Sequence, residues 1–210
     1  MAATRSGAQP KRKRPEVVQN GKSETRRGHT AKGNGKISAS PLAIKAEPSN
    51  GAYYLMKSEP DSFSISDLEN RKNQTEPWDG VRNHLAKKIM QGMRAGNKAF
   101  FYQSNCKEPG VIGIMEVVRE AYPDHSAWEV GGKYYDPRST PEEPRWFMVD
   151  CKLVRRLSRV IGLQELKQYK DGDLSGMALF KQSRLSVQPV KKEEWDFVLS
   201  LESKDPEGET

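Results

Sequence analysis

The run WDGVRN, residues 78–83, sets an indole, a carboxylate, a guanidinium and a carboxamide within six positions. Asp79-Gly80 is a turn dipeptide, because glycine accepts positive φ and aspartate can bond its own backbone. After it, Leu85, Ile89 and Met93 recur at helical spacing, with Lys87, Lys88 and Arg94 between them. Trp78 is therefore placed on a loop feeding a helix over 81–94, with Arg82 and Asn83 in its first turn. The chemistry on offer is binding, since loops carried by rigid elements are where binding residues concentrate. The same residues can equally serve packing, with Trp78 plugging the core, Gly80 making the turn, Asn83 capping the helix and Arg82 paired with Asp79. From the residues alone both readings stand.

Reaction chemistry finds no comparable set. Catalysis needs a nucleophile with its base, paired carboxylates or a metal constellation. Cys106 and Cys151 lack a recognisable histidine partner, and Glu142-Glu143 stand side by side in a proline-rich loop, which leaves Asp136 or Glu59 as single acids. His29, His84 and His125 are scattered, and no Cys/His group has metal spacing. The expectation is a protein that is not an enzyme and uses neither metal nor cofactor. Two cysteines are too few for a disulfide framework and read as reduced thiols. No apolar run approaches 18 residues, which predicts an intracellular, soluble chain without a membrane partner.

Charge divides the chain. Residues 1–50 hold 11 Lys/Arg against 3 Asp/Glu and contain no aromatic residue, whereas 51–210 carry a net charge of −1 and all 17 aromatics. A segment of the first kind cannot bury enough apolar surface to offset the entropy of ordering it, so 1–51 is expected to be a disordered basic tail. Within it, PKRKRPE presents Lys11, Arg12, Lys13 and Arg14 between prolines, the pattern that a nuclear import receptor reads as extended cations. That pattern predicts a nuclear protein. Ile44-Lys45-Ala46-Glu47 matches a sumoylation pattern with Lys45 as acceptor. The near-neutral remainder does not coat itself with phosphate-binding charge. Any nucleic acid would have to be met by a pocket with a local patch, the tail adding attraction at long range.

The elements that would position these residues follow from pattern. AYYLMKSEP reads as a strand, Ser64 and Ser66 cap a short helix through Leu68 with Glu69 placed for a capping box, and Gly96-Asn97 end the 81–94 helix. AFFYQSN (99–105) and VIGIMEVV (111–118) are neighbouring antiparallel strands about a turn at Glu108-Pro109-Gly110. Residues 121–145 form a long loop carrying Trp128, Tyr134 and Tyr135. RWFMVDCKLVRRL (145–157) alternates as a strand that makes Cys151 a core residue. Short helices at 163–169 and 173–180, the strand-like RLSVQPV and a helix over 191–201 complete the chain, with 203–210 a disordered end. Short strands around a few helices, without βαβ alternation, predict an α+β domain over 52–202 with a curled or barrel-like sheet.

The motifs YYLMKSEP, WDGVRN, FYQSN, GVIGIMEVV, AYPDHSAWE, YYDPRS, PRWFMVD and RLSVQPV, in that order, resemble the EVE domain family of the PUA-like superfold. The resemblance implies a PUA-like mixed β-barrel flanked by short helices. It also implies a non-enzymatic reader that captures a flipped base of modified DNA, of the 5-hydroxymethylcytosine type, in an aromatic pocket; the chain is expected to be a monomer. By analogy with the related YTH domains, Trp78 would be a cage wall and Asn83 would bond the base edge. Lys57 and Ser58 would line the floor, with Tyr102, Ser104 and Asn105 approaching from the third strand. Trp128, Tyr134, Tyr135 or Trp146 would close the cage, and Arg82, Arg184 and Ser186 would meet backbone phosphates. An RNA-binding module is the near alternative, separated only by the 2′-hydroxyl. A nuclear protein-interaction adaptor is the more distant one.

Overall fold

Three segments of this chain are apolar at nearly every position, and the reason is burial on both faces of one sheet. The computed structural model describes residues 51–204; the import run Lys11–Arg14, Lys45 and residues 205–210 lie outside the described residues. In chain order the elements are β1 (Tyr53–Ser58), α1 (Ile65–Asn70), β2 (Thr75–Pro77), α2 (His84–Gln91), β3 (Lys98–Gln103), β4 (Gly110–Pro123) and β5 (Phe147–Gly162). They continue with α3 (Leu163–Gln168), α4 (Ala178–Lys181), β6 (Val187–Val190) and α5 (Lys192–Leu201); short 3-10 turns span Lys72–Gln74 and His125–Trp128. The strands form a mixed sheet in the order β2-β5-β4-β3-β1-β6. Only β1 and β3 pair in parallel; the other neighbours are antiparallel. The α+β class expected from the pattern holds.

Successive strand residues point to opposite faces, and this sorts the core in two. Tyr54, Met56, Ala99 and Phe101 join Trp78, Met90 and α1's Leu68 on one side. Leu55, Phe100 and Tyr102 join Leu166, Leu179 and α5's Trp195 on the other. There Phe100 and Trp195 stack with ring centroids 3.9 Å apart. The register of β4 against β5 shifts repeatedly, beginning between Val111 and Gly113, and such bulges bend and twist long strands. Gly113 of β4 faces Ile65 of α1, where a Cβ would stand 2.4 Å from the Ile65 Cδ1. A side chain there would push the Ile65 tip aside and crowd the Arg155 carbonyl, 3.2 Å from the same position.

Several boundaries differ from the pattern. Helix α2 begins at His84, because Asn83 is its N-cap and accepts from the Leu85 and Ala86 amides. The buried side is consequently Ala86, Met90 and the following Met93, while Leu85 is 44% exposed. The helix ends at Gly92, short of residue 94. The acid in the α1 capping box is Asp67, three residues after Ser64; Glu69 is bound instead to Arg156. Strand β2 has no counterpart in the sequence pattern, since three residues leave no periodicity to read. The helix expected over 173–180 is reduced to α4.

Candidate functional site

Trp78 leaves β2 with its amide donating to the Val149 carbonyl at 2.7 Å, so the indole is fixed from the sheet side. It is only 6% exposed and meets Phe101 edge-on at 5.5 Å and Phe63 at 6.4 Å. Beyond it, Gly80 takes φ +71°, its amide donates to the Asp124 Oδ2 at 3.0 Å, and the Tyr134 ring lies where a Cβ would stand 2.7 Å away. A side chain at position 80 would drive Tyr134 off the turn.

Arg82 clamps this arrangement. Its Nη1 donates to Asp124 Oδ2 at 2.7 Å, its Nη2 to Ser126 Oγ at 3.1 Å and its Nε to the Tyr134 carbonyl at 2.8 Å. The Asp124 side chain is fully buried. Burial alone would raise its carboxyl, but hydrogen bonds from Ser126, Arg82 and the Gly80 amide, with the Arg82 charge, hold it below the ordinary aspartate value. The expected Arg82–Asp79 pair is absent, because Asp124 takes the guanidinium.

Above the turn opens a cleft of about 1240 Å³. Lys57, Ser58, Trp78, Asn83, Tyr102, Ser104, Asn105, Tyr134, Arg184 and Ser186 all line it, as does the engaged Arg82. Phe101 belongs to the Trp78 side of the sheet and Tyr102 to the other, so the cleft passes across the end at which β1 and β3 stop. Ser104 binds back to the Ser58 carbonyl through its amide at 2.8 Å, which locks the two strand ends together. Ser58 Oγ donates to the Phe63 carbonyl at 2.5 Å. Lys57 Nζ donates to the Ser183 carbonyl at 2.7 Å, and burial lowers its pKa. Burial, then the neighbouring Cys106, pushes the Tyr102 phenol up to about 12. Asn83 spends its Oδ1 on the cap, leaving Nδ2 as the atom free to donate outward.

Three aromatics of the long loop do not reach the cleft. Trp146 is buried, its Nε1 donates to Asp136 Oδ2 at 2.8 Å and its ring stacks on His84 at 4.9 Å. Trp128 donates to Ser139 Oγ at 3.2 Å, and Tyr135 faces solvent at 41% exposure. The two indoles serve as struts of the loop that carries Tyr134. Asp136 receives Trp146, the Arg138 amide and the Arg138 Nε, which together hold its carboxyl below the ordinary range.

The lining also contains cations that sequence order gave no reason to group: Arg71, Lys133, Lys167 and Lys170. With Lys57, Arg82 and Arg184 they make seven basic residues against three acidic ones, Glu59, Glu76 and Asp79. The side chains of Lys167 and Arg184 have no hydrogen-bond or ion-pair partner among the described residues. Cys151 is buried and its thiol is raised far above the ordinary range by burial, which removes it as a nucleophile. Among the described residues no group of three or more His, Cys, Asp or Glu is placed to hold a metal, and no helix is long and apolar enough to cross a membrane.

Comparison with known proteins places this geometry. The EVE domain family model matches residues 52–201. Thymocyte nuclear protein 1 of Homo sapiens is 49% identical over 170 residues, covering 74% of this chain and 76% of its own. The protein of the same name from Danio rerio is 49% identical over 168 residues, covering 73% of each. A crystal structure of the human THYN1 protein in complex with 5-methylcytosine-containing DNA superposes with a TM-score of 0.73 at 48% identity, covering 74% of this chain and all of that one. A structure from Leishmania major gives a TM-score of 0.69 at 49% identity, covering 72% of this chain and 94% of its own.

Proposed function

The chain belongs to the EVE domain family, and on that premise we propose that it is a non-enzymatic reader of modified DNA. In this reading it holds a flipped-out cytosine with a C5 substituent, hydroxymethyl or methyl, in the cleft beside Trp78. The observation that carries the reading is the cleft itself. Cations outnumber acids seven to three along its lining, although residues 51–210 as a whole carry a net charge of −1. A phosphate-bearing ligand is drawn to that one place and not to the surface at large. The human relative's complex with methylated DNA supports the same assignment.

A small group on C5 is tested most stringently once the base leaves the stack, where stacking on an aromatic is worth roughly 1–3 kcal/mol. Trp78 and Tyr134 supply ring surface. Asn83 Nδ2, the Tyr102 phenol, Ser58, Ser104 and Asn105 offer polar partners around it. Arg184, Ser186, Lys167 and Lys170 meet the flanking phosphates, while Arg82 acts by bracing Tyr134. Residues 1–51, with Lys11–Arg14 bound by an import receptor, bring the protein to the nucleus and add long-range attraction, and Lys45 is a sumoylation acceptor. The protein acts as a monomer.

The test is titration of the full chain with matched oligonucleotides carrying cytosine, 5-methylcytosine or 5-hydroxymethylcytosine at one position, in deoxy and ribo form. At least tenfold tighter binding of a C5-substituted deoxy duplex is expected. Tightest binding to the ribo form would move the assignment to RNA, and equal weak binding to all would favour a protein-interaction role.

A further inference from the structure

Asp79 is a carboxylate that the fold leaves unused. The turn around it is fixed on both sides, by the Trp78 amide on the Val149 carbonyl at 2.7 Å and the Gly80 amide on Asp124 at 3.0 Å. Its own side chain makes no hydrogen bond and no ion pair with the described residues. The arginine three residues on, which sequence would pair with it, is held by Asp124. The carboxylate is exposed and makes no contact that would hold it away from a ligand. The residue lines the cleft directly beside Trp78.

A pocket that recognises cytosine by its C5 group faces a chemical ambiguity. Thymine carries the same methyl at C5 as 5-methylcytosine. The two differ at C4, where cytosine bears an amino donor and thymine a carbonyl acceptor, and at N3, an acceptor in cytosine and a donor in thymine. Aromatic stacking is blind to that difference, so an acceptor aimed at the C4 edge is required. Of the three acids in the cleft, Glu76 is taken by Arg71 at 3.1 Å. Glu59 follows the end of β1, away from the indole in sequence, and Asp79 is the neighbour of Trp78 itself.

Resting on the reading proposed above, we infer that the Asp79 carboxylate accepts the N4 amino group of the captured base and so separates cytosine from thymine. Partial burial, then the Asp124 charge, raises the Asp79 carboxyl above the ordinary aspartate value, with Arg82 and His125 opposing and Glu129 adding. The side chain is open to solvent and bound to nothing in the fold, so it is free to accept a donor that a ligand brings into the cleft. Apposition to a carbonyl oxygen of thymine would leave it unpaired and repelled.

The experiment titrates the full chain against duplexes with 5-methylcytosine or thymine opposite an abasic site, so that neither base pays a pairing cost on leaving the helix; cytosine and uracil in the same frame repeat the comparison without the methyl. The wild type is expected to prefer 5-methylcytosine over thymine, and cytosine over uracil, by at least about tenfold. Asp79→Asn, whose amide can donate as well as accept, and Asp79→Ala should both bring these ratios to within about twofold of unity, with unchanged thermal unfolding. Glu59→Gln should leave them as in the wild type. A wild type that fails to separate the bases, or Asp79 variants that retain the preference, would overturn the inference. Loss of the 5-methylcytosine over cytosine preference with the C4 ratios intact would instead overturn the reader assignment and leave Asp79 in place.

Discussion

Trp78 has two duties, and the structure sets their sizes. With 6% of its surface exposed and Phe101 and Phe63 against it, the indole is a core residue that also forms part of the cleft lining. Trp78→Ala should therefore cost about 3–5 kcal/mol of stability, measured by denaturant unfolding, and loss of binding in that variant would not isolate the contact. Trp78→Phe, which keeps much of the packing, is the informative change. Asn83 can be separated more cleanly. Asn83→Ser retains a capping oxygen while removing Nδ2, so stability should change by less than about 0.5 kcal/mol while oligonucleotide affinity falls; Asn83→Ala should lose about 1 kcal/mol of stability as well. Trp78, Asn83, Lys57 and Ser58 were grouped by the family resemblance, and all four line the cleft. The sequence could not say which aromatic of the long loop turns inward. Trp128, Tyr134, Tyr135 and Trp146 look alike in pattern, and the choice is made by Asp136 and Ser139 taking the two indole N–H groups.

At the scale of elements, strand identity was readable wherever several residues repeat, as in β1, β3 and β5, and failed for the three residues of β2. The buried face of α2 lies one position from the one that the apolar spacing marks, because the cap at Asn83 overrides the spacing that begins at Leu85. Nothing local marks Asp124 as the anchor joining the 78–83 turn to the long loop, since its partners in that turn, Gly80 and Arg82, lie more than forty residues away. Removing it by Asp124→Ala leaves Arg82 without its buried counter-ion and should cost about 3 kcal/mol, with Tyr134 released from the turn. Acid should undo the same contacts. The folded Asp124 and Asp136 carboxyls lie below their ordinary 3.8, and the hydrogen bond from Arg155 takes Glu202 from 4.5 to about 2. Carboxyls lowered by folding contribute stability fully above the unfolded values and lose it as pH falls through the folded ones. The unfolding midpoint should thus be flat from about pH 7 to 5 and drop steadily below about 4.5 in a pH series followed by circular dichroism.

For the whole molecule, the division of charge is the organising fact. The first fifty residues carry the excess of cations, while residues 51–210 are near neutral overall and line their cleft with seven cations against three acids. Deleting residues 1–50 should weaken binding to any duplex and flatten its dependence on salt, while the ratio between modified and plain cytosine stays the same. A tagged truncated protein should also disperse from the nucleus, as imaging would register. The gathering of Lys133, Lys167 and Lys170 with Arg184 was not legible in sequence, because the chain assembles that patch from segments up to about fifty residues apart. In the proposed reading the captured base lies outside its helix. A fluorescent 2-aminopurine placed next to a single 5-methylcytosine or 5-hydroxymethylcytosine reports that event, since its emission rises when the neighbouring stack is broken. Saturation with the full chain should raise the emission several-fold for the modified duplex and leave the plain one unchanged; emission that stays constant at saturating protein would contradict capture of a swung-out base.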